Sequence, residues 1–128
     1  MYERAEEVLK DWLDFVNSRN LEGVLSLYSN DAVLLPTFSN EIRNNLESIQ
    51  GYFVMVSSTN EGVKVKLIPG TLIVQGISEK VFSLSGLYSW EIITGGMERK
   101  ALARFTYTID ISSSTPIRHH HSSLVPEV

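Results

Sequence analysis

The chain has 128 residues, 43% hydrophobic and 20% charged, and its 15 Asp and Glu against 11 Lys and Arg give a net charge of −4. That length suits one domain, residues 1–128, and the scattered basic residues lack the clustered cationic face that nucleic acid requires. The absence of cysteine excludes disulfides, thiol nucleophiles and thiolate metal sites.

No apolar run reaches the roughly 20 residues of a membrane span. The start "MYERAEEVLKDW" is acidic and helix-patterned, unlike a basic leader followed by an apolar core. The expectation is a cytoplasmic protein with no membrane contact. Ala5, Val8, Leu9, Trp12, Phe15 and Val16 recur at helical spacing opposite Glu6, Glu7, Lys10, Asp11 and Asp14, which predicts an amphipathic helix of about four turns. Asn20 is placed to cap a short second helix carrying Leu21, Val24, Leu25 and Tyr28 on one face. Ser29-Asn30-Asp31 reads as a turn, and Ala32–Leu35 as a strand stopped by Pro36.

A third helix is expected from about Asn44, with Asn44 capping and Glu47 reaching back to it, and with Leu46, Ile49, Phe53 and Val56 as its apolar stripe. Gly51 inside that helix costs ~1 kcal/mol relative to alanine, which suggests that something packs closely against it. Strand patterns follow over 63–68 and 71–74 around Pro69-Gly70, then over 80–94, ending in the hairpin signal Gly95-Gly96. A further strand covers 99–111. After the polar turn Ser112–Thr115, a last strand runs through His119, His120 and His121. Three helices followed by long antiparallel strands make an α+β layout.

The ending "RHHHSSLVP" looks like the scar of an affinity tag, yet the strand before it needs "PIRHH" to complete its pairing. Four segments resemble, in order, the bacterial nuclear transport factor 2-like proteins related to the association (hub) domain of calcium/calmodulin-dependent protein kinase II: "LYSNDAVLLPTFSNEIR", "ESIQGYF", "ARFTY" and "HHSSLVPE". In that family a similar "HHSS" closes the last strand, which marks the histidines as native. The resemblance implies a cone: three N-terminal helices packed on a curved, mostly antiparallel sheet that encloses a pocket. It also implies self-association. The match departs in places: "SSSTP" replaces a tryptophan-bearing turn, Ser122 stands where the hub has an arginine, and residues 83–90 contain no arginine.

Candidate site residues follow from chemistry and from this resemblance. Arg104 shares a strand face with Leu102 and Thr106, opposite Ala103, Phe105 and Tyr107. If that face lines the cone, it is a buried guanidinium that requires an anionic ligand or an internal partner such as Glu41, Glu91 or Asp110. Arg43 is either a residue of the pocket mouth or interface, or an exposed loop charge. His119 and His121 share one face of the last strand, with His120 on the other. A His-x-His pair alone is weak evidence for metal, so no metal site and no cofactor are assigned, and His119 or His121 is a candidate general base. Tyr28, Tyr52, Tyr88 and Trp90 are candidate pocket liners, with Tyr52 or Tyr88 as hydrogen-bond donor to a substrate.

Two readings result. One is a binding and self-association module, a homodimer or larger ring whose pocket takes an unidentified small polar or anionic molecule through Arg104, Arg43 and His121, lined by Tyr52, Tyr28 and Trp90. The other is a small cyclase-, isomerase- or dehydratase-like enzyme with a pocket histidine as base. A scaffold for a separate kinase chain is a weaker third idea. Fold alone does not choose among them.

Overall fold

A computed structural model describes residues 2–128. Its elements are α1 (Tyr2–Asn17), α2 (Leu21–Ser26), β1 (Tyr28–Leu35), α3 (Leu46–Thr59), β2 (Gly62–Leu67), β3 (Ile73–Gly76), β4 (Val81–Thr94), β5 (Met97–Asp110) and β6 (Ile117–Leu124). The sheet order is β1-β6-β5-β4-β2, with β3 also paired to β4. Every pairing is antiparallel except β1 with β6, which is parallel. The α+β architecture and the mostly antiparallel sheet expected from the sequence are present.

The predicted stripe of α1 is its buried face, with Ala5, Val8, Leu9, Trp12 and Val16 in the core. The Asn20 side chain caps α2 by accepting from the Gly23 N–H at 2.9 Å. Two expectations shift. Tyr28 does not close the helical face of α2; it opens β1, because α2 ends at Ser26. Ser29–Asp31 is not a free turn but an irregularity in β1, where the register to β6 slips between Tyr28 and Val33. The Ser29 hydroxyl donates to Asp31 there, and Arg118 of β6 pairs with the same carboxylate at 2.9 Å.

The third helix starts one residue later than expected. Asn45 is its cap and Ser48, not Glu47, completes the capping box. Gly51 is exposed, and an added Cβ would meet only the Arg43 guanidinium at 3.7 Å, an ordinary contact. The close approach is at Gly86 instead, where a Cβ would lie 2.9 Å from the Phe105 ring. Strands β2 and β3 do not pair with each other across Pro69-Gly70. Both lie along β4, β2 on Tyr88–Ile93 and β3 on Phe82–Ser85, as two halves of one interrupted edge.

Side-chain alternation gives the sheet two different faces. One carries Phe82, Leu84, Tyr88, Trp90, Ala103, Phe105, Tyr107, Ile109 and His120, all buried. Helix α1 packs on β2, β4 and β5 over this face, and α3 packs on β1 and β2. The other face carries Ser83, Ser85, Leu87, Ser89, Leu102, Arg104, Thr106, Thr108, His119 and His121, all exposed or half-buried. Among the described residues no helix packs over it, and none is long and apolar enough to cross a membrane.

Candidate functional site

Strand register decides which histidine lies inside. His120 stands opposite Tyr107, and Tyr107 opposite Leu84, so the row Leu34–His120–Tyr107–Leu84 crosses the inner face. His120 is 1% exposed. Its ring stacks on Tyr107 with centroids 3.9 Å apart and meets Trp12 edge-on at 5.3 Å. The candidate bases expected from the sequence were its neighbours, His119 and His121. The signal was available: Ala103, Phe105 and Tyr107 form the apolar parity of β5, and any residue opposite Tyr107 must share its face.

Both ring nitrogens of His120 are engaged. Tyr28 Oη lies 2.8 Å from Nδ1, and Tyr88 Oη lies 3.1 Å from Nε2. Tyr28 Oη also accepts from Trp12 Nε1–H at 3.0 Å. A neutral imidazole offers one N–H and one lone pair. If Tyr28 gives its proton to Nδ1, Nε2–H donates to Tyr88 Oη; if Tyr88 gives its proton to Nε2, Nδ1–H donates to Tyr28 Oη, so in either tautomer one tyrosine donates to the ring and the other accepts from it.

Burial sets the electrostatics. Loss of hydration, reinforced by His119 and His121, lowers the His120 pKa to about 3. Burial pushes the Tyr28, Tyr88 and Tyr107 phenols far above their ordinary range, and Tyr52 up to about 12. At neutral pH the interior therefore holds no charge; it is an array of fixed dipoles.

Within this array is a cavity of about 10 Å³, room for one water-sized group. Trp12, Tyr52, Tyr88, Trp90, His120 and Ser122 are among its walls, with Thr37. The Trp90 Nε1–H is buried and has no hydrogen-bond partner. Outside lies an open cleft of about 330 Å³ lined by Leu35–Thr37, Ser39–Ile42 and His121–Leu124. Pro36, Thr37 and Ser122 border both spaces, and a hydrogen bond between the Thr37 and Ser122 hydroxyls stands at the boundary.

The loop over this boundary is pinned at its neck. Leu34 and Arg43 exchange two backbone hydrogen bonds of 2.8 Å, closing residues 35–42 into a loop. Arg43 then turns its guanidinium over the Tyr52 ring, 5.9 Å from the centroid, and donates to the Ser48 carbonyl and the Ser39 hydroxyl. Tyr52 Oη accepts from the Phe38 N–H at 3.3 Å.

The residues singled out from the sequence thus divide. Tyr28, Tyr52, Tyr88 and Trp90 are together in the interior. Arg43 holds the loop at the mouth. Arg104, His119 and His121 stand on the outer face, so the condition attached to Arg104, that its face line the cone, is not met. It is an exposed cation opposite Leu87 and Ser123. His119 and His121 do not share a face with Tyr52 or Tyr88, though His121 borders the outer cleft. Burial and the neighbouring His121 lower the His119 pKa. Among the described residues no group of three or more His, Cys, Asp or Glu side chains is arranged to hold a metal ion.

No family model and no curated protein matches the chain. Solved structures do. A protein from Xanthomonas campestris named for the calcium/calmodulin-dependent protein kinase II association domain is 28% identical, with a TM-score of 0.85 over 97% of this chain and 87% of its own. One from Streptomyces avermitilis, named as a dehydratase of the NTF2-like family, has a TM-score of 0.85 at 10% identity, over 98% of this chain and 97% of its own. One from Novosphingobium aromaticivorans, named as a scytalone dehydratase, has a TM-score of 0.83 at 8% identity, over 98% and 84%. Helices packed on one face of the sheet, a parallel β1–β6 pair in an otherwise antiparallel order and these likenesses agree: the chain has the cone-shaped fold of the nuclear transport factor 2-like proteins, with a bacterial association-domain protein among its structural neighbours.

Proposed function

We propose that this chain is a small-ligand-binding domain that self-associates through the outer face of its sheet. The observation that carries this reading is the asymmetry of the sheet: all three helices lie on one face, and the other is left bare. An antiparallel sheet with one wet face is common; here Lys64, Lys66, Glu91 and Lys100 charge the end of the face toward β2 and the β4–β5 hairpin, while Arg104 is the charge nearest Thr106 on the rest of it. Leu35, Leu87 and Leu102 interleave with Ser83, Ser85, Ser89, Thr106 and Thr108, small residues that allow close approach of a second sheet. The likeness to an association-domain protein supports the same occupant, a second copy of the chain. Ligand binding is placed in the cleft beneath the 35–42 loop, where His121, Ser122, Ser123 and Asn40 offer polar groups beside Leu35 and Ile42.

Sedimentation velocity on wild type and Thr106→Arg tests the self-association. Thr106 sits between Ser85 and His121 at the middle of the bare face. The expected result is a dimer or larger assembly for wild type and a folded monomer for the variant. A wild-type monomer at every accessible concentration overturns the reading.

The enzymatic alternative draws support from neighbours named as dehydratases, whose low identity carries fold only. The inner histidine is held at both nitrogens and neutral, a poor base at neutral pH. The outer histidines stand apart from the tyrosines that would assist them. Binding is therefore the better-supported function.

A further inference from the structure

Strand β6 puts two of its three histidines on the bare face of the sheet. His119 is half-buried and His121 exposed. Register sets each of them in an uncharged row, Val33–His119–Thr108–Ser83 and Leu35–His121–Thr106–Ser85. The second row continues to Ile73 of β3, an isoleucine that is 60% exposed. The rings stand two residues apart on one face, and they sense each other: burial, then the charge of His121, lowers the His119 pKa. The charged groups around the pair are few. Arg104 of β5, opposite Ser123, is the next residue after Thr106 on this face. Beyond His119, Arg118 of β6 holds Asp31 of β1 at 2.9 Å, and Asp110 of β5 accepts from the Ser112 N–H and hydroxyl. Glu41 of the 35–42 loop borders the same cleft as His121. Lys64, Lys66, Glu91 and Lys100 lie at the other end of the face, toward β2.

A face that pairs with its own copy about a two-fold axis brings like groups together. Neutral imidazoles suit such a contact, since each has an apolar body and a hydrogen-bonding edge. Imidazoliums do not. Both subunits would carry theirs, beside Arg104, into one interface stripped of water, where unpaired charge is costly. We infer that His119 and His121 make self-association pH-dependent: the domain assembles while both rings are neutral and comes apart when they take up protons. This deepens the self-association reading above and rests on it. The direction follows from proton counting. Assembly excludes protons from the pair, so acid favours the free subunits. A histidine ordinarily titrates near 6.5. Holding one imidazole neutral in each subunit therefore weakens a dimer by about tenfold per subunit at pH 5.5, or about a hundredfold in Kd.

Sedimentation velocity on dilution series at pH 7.5, 6.5 and 5.5, at one ionic strength, measures the dependence. Near-ultraviolet circular dichroism, which reports the packing of the buried Trp12 and Trp90, restricts the comparison to folded protein and so separates dissociation from unfolding. The expected result for wild type is a Kd about ten- to a hundredfold weaker at pH 5.5 than at pH 7.5. The double variant His119→Gln, His121→Gln cannot titrate at these positions. Whatever its affinity at pH 7.5, its Kd is expected to change by less than about threefold over the same range. His119→Gln and His121→Gln singly are each expected to retain part of the wild-type slope of log Kd against pH. A wild-type Kd that is the same at all three values overturns the inference and leaves self-association standing. So does a Kd that tightens in acid, the sign expected if Glu41, Asp31 or Asp110 of the second copy received the imidazoliums. Single variants that both keep the full wild-type slope, or a double variant that does, assign the response to other groups and also overturn it. A wild type that is monomeric at pH 7.5 at every concentration removes the self-association reading and this inference together.

Discussion

Acidification should unfold this protein through His120. The ring is fully buried, and its pKa falls from 6.5 to about 3, first because burial strips hydration from the imidazolium and then because His119 and His121 repel it. The sign follows from proton counting: below pH 6.5 the unfolded chain binds a proton at this position that the folded chain refuses. Stability is therefore complete above pH 6.5 and is lost progressively as the pH falls toward 3. At about 1.4 kcal/mol per unit, the loss at pH 5 is about 2 kcal/mol relative to pH 8, a large part of the margin of a domain this size.

Urea titrations at pH 8, 6 and 5, followed by tryptophan fluorescence, measure it. His120→Gln offers hydrogen-bonding atoms to Tyr28 and Tyr88 but does not titrate. The variant should be less stable than wild type at pH 8, by about 1–3 kcal/mol for imperfect partnering, and should lose most of the decline between pH 8 and 5. His119 is partly exposed with a lowered pKa, so it leaves a smaller slope of the same sign in both proteins. Asp31 and Asp110, held low by their serine partners and nearby cations, act at lower pH than this window. A wild-type stability that is flat from pH 8 to 5, or a variant with the same slope as wild type, would refute a neutral buried His120.

Tyr28→Phe leaves both Trp12 Nε1–H and His120 Nδ1 without their partner, and should cost about 1–3 kcal/mol for each, well above Tyr52→Phe, where one long bond from the Phe38 amide is lost; urea midpoints compare the two. Gly86→Ala should destabilise by about 1–3 kcal/mol, because the new methyl would press on the Phe105 ring at 2.9 Å and on the Thr71 carbonyl at 3.3 Å. Gly51→Ala should do the reverse, gaining up to about 1 kcal/mol at an exposed helical position where the new methyl would make only an ordinary 3.7 Å contact with Arg43; opposite shifts in melting temperature check the pair.

The contrast between these glycines shows where sequence reasoning reached its limit. A glycine in a helix pattern suggests a close neighbour, but only the tertiary path of the Arg43 side chain reveals that none is tight. The helices, the hairpin at Gly95-Gly96 and the apolar parity of β5 were legible because each rests on local periodicity. The parallel pairing of β1 with β6 was not, since it joins residues about 90 apart and depends on a slip at Ser29–Asp31. For the site, the aromatic liners were readable as large residues on apolar faces. His120 was missed because three adjacent histidines offer no internal phase; the phase comes from the partner strand, through Tyr107. A bulge adds to the difficulty, since the β5–β6 register shifts between Thr108 and Ile109 and puts Ile117 and His120 on one face although they are three residues apart. The charge of Arg104 suggested an anionic site, whereas its parity with Leu102 and Thr106 already placed it opposite the core.

Native mass spectrometry of the wild-type protein, under gentle and then denaturing conditions, tests the proposed function most directly. A symmetric homo-oligomer whose subunits carry a small adduct of fixed mass, lost on denaturation, is the expected result. A bare monomer, stable across concentration and free of any adduct, would contradict both self-association and ligand binding.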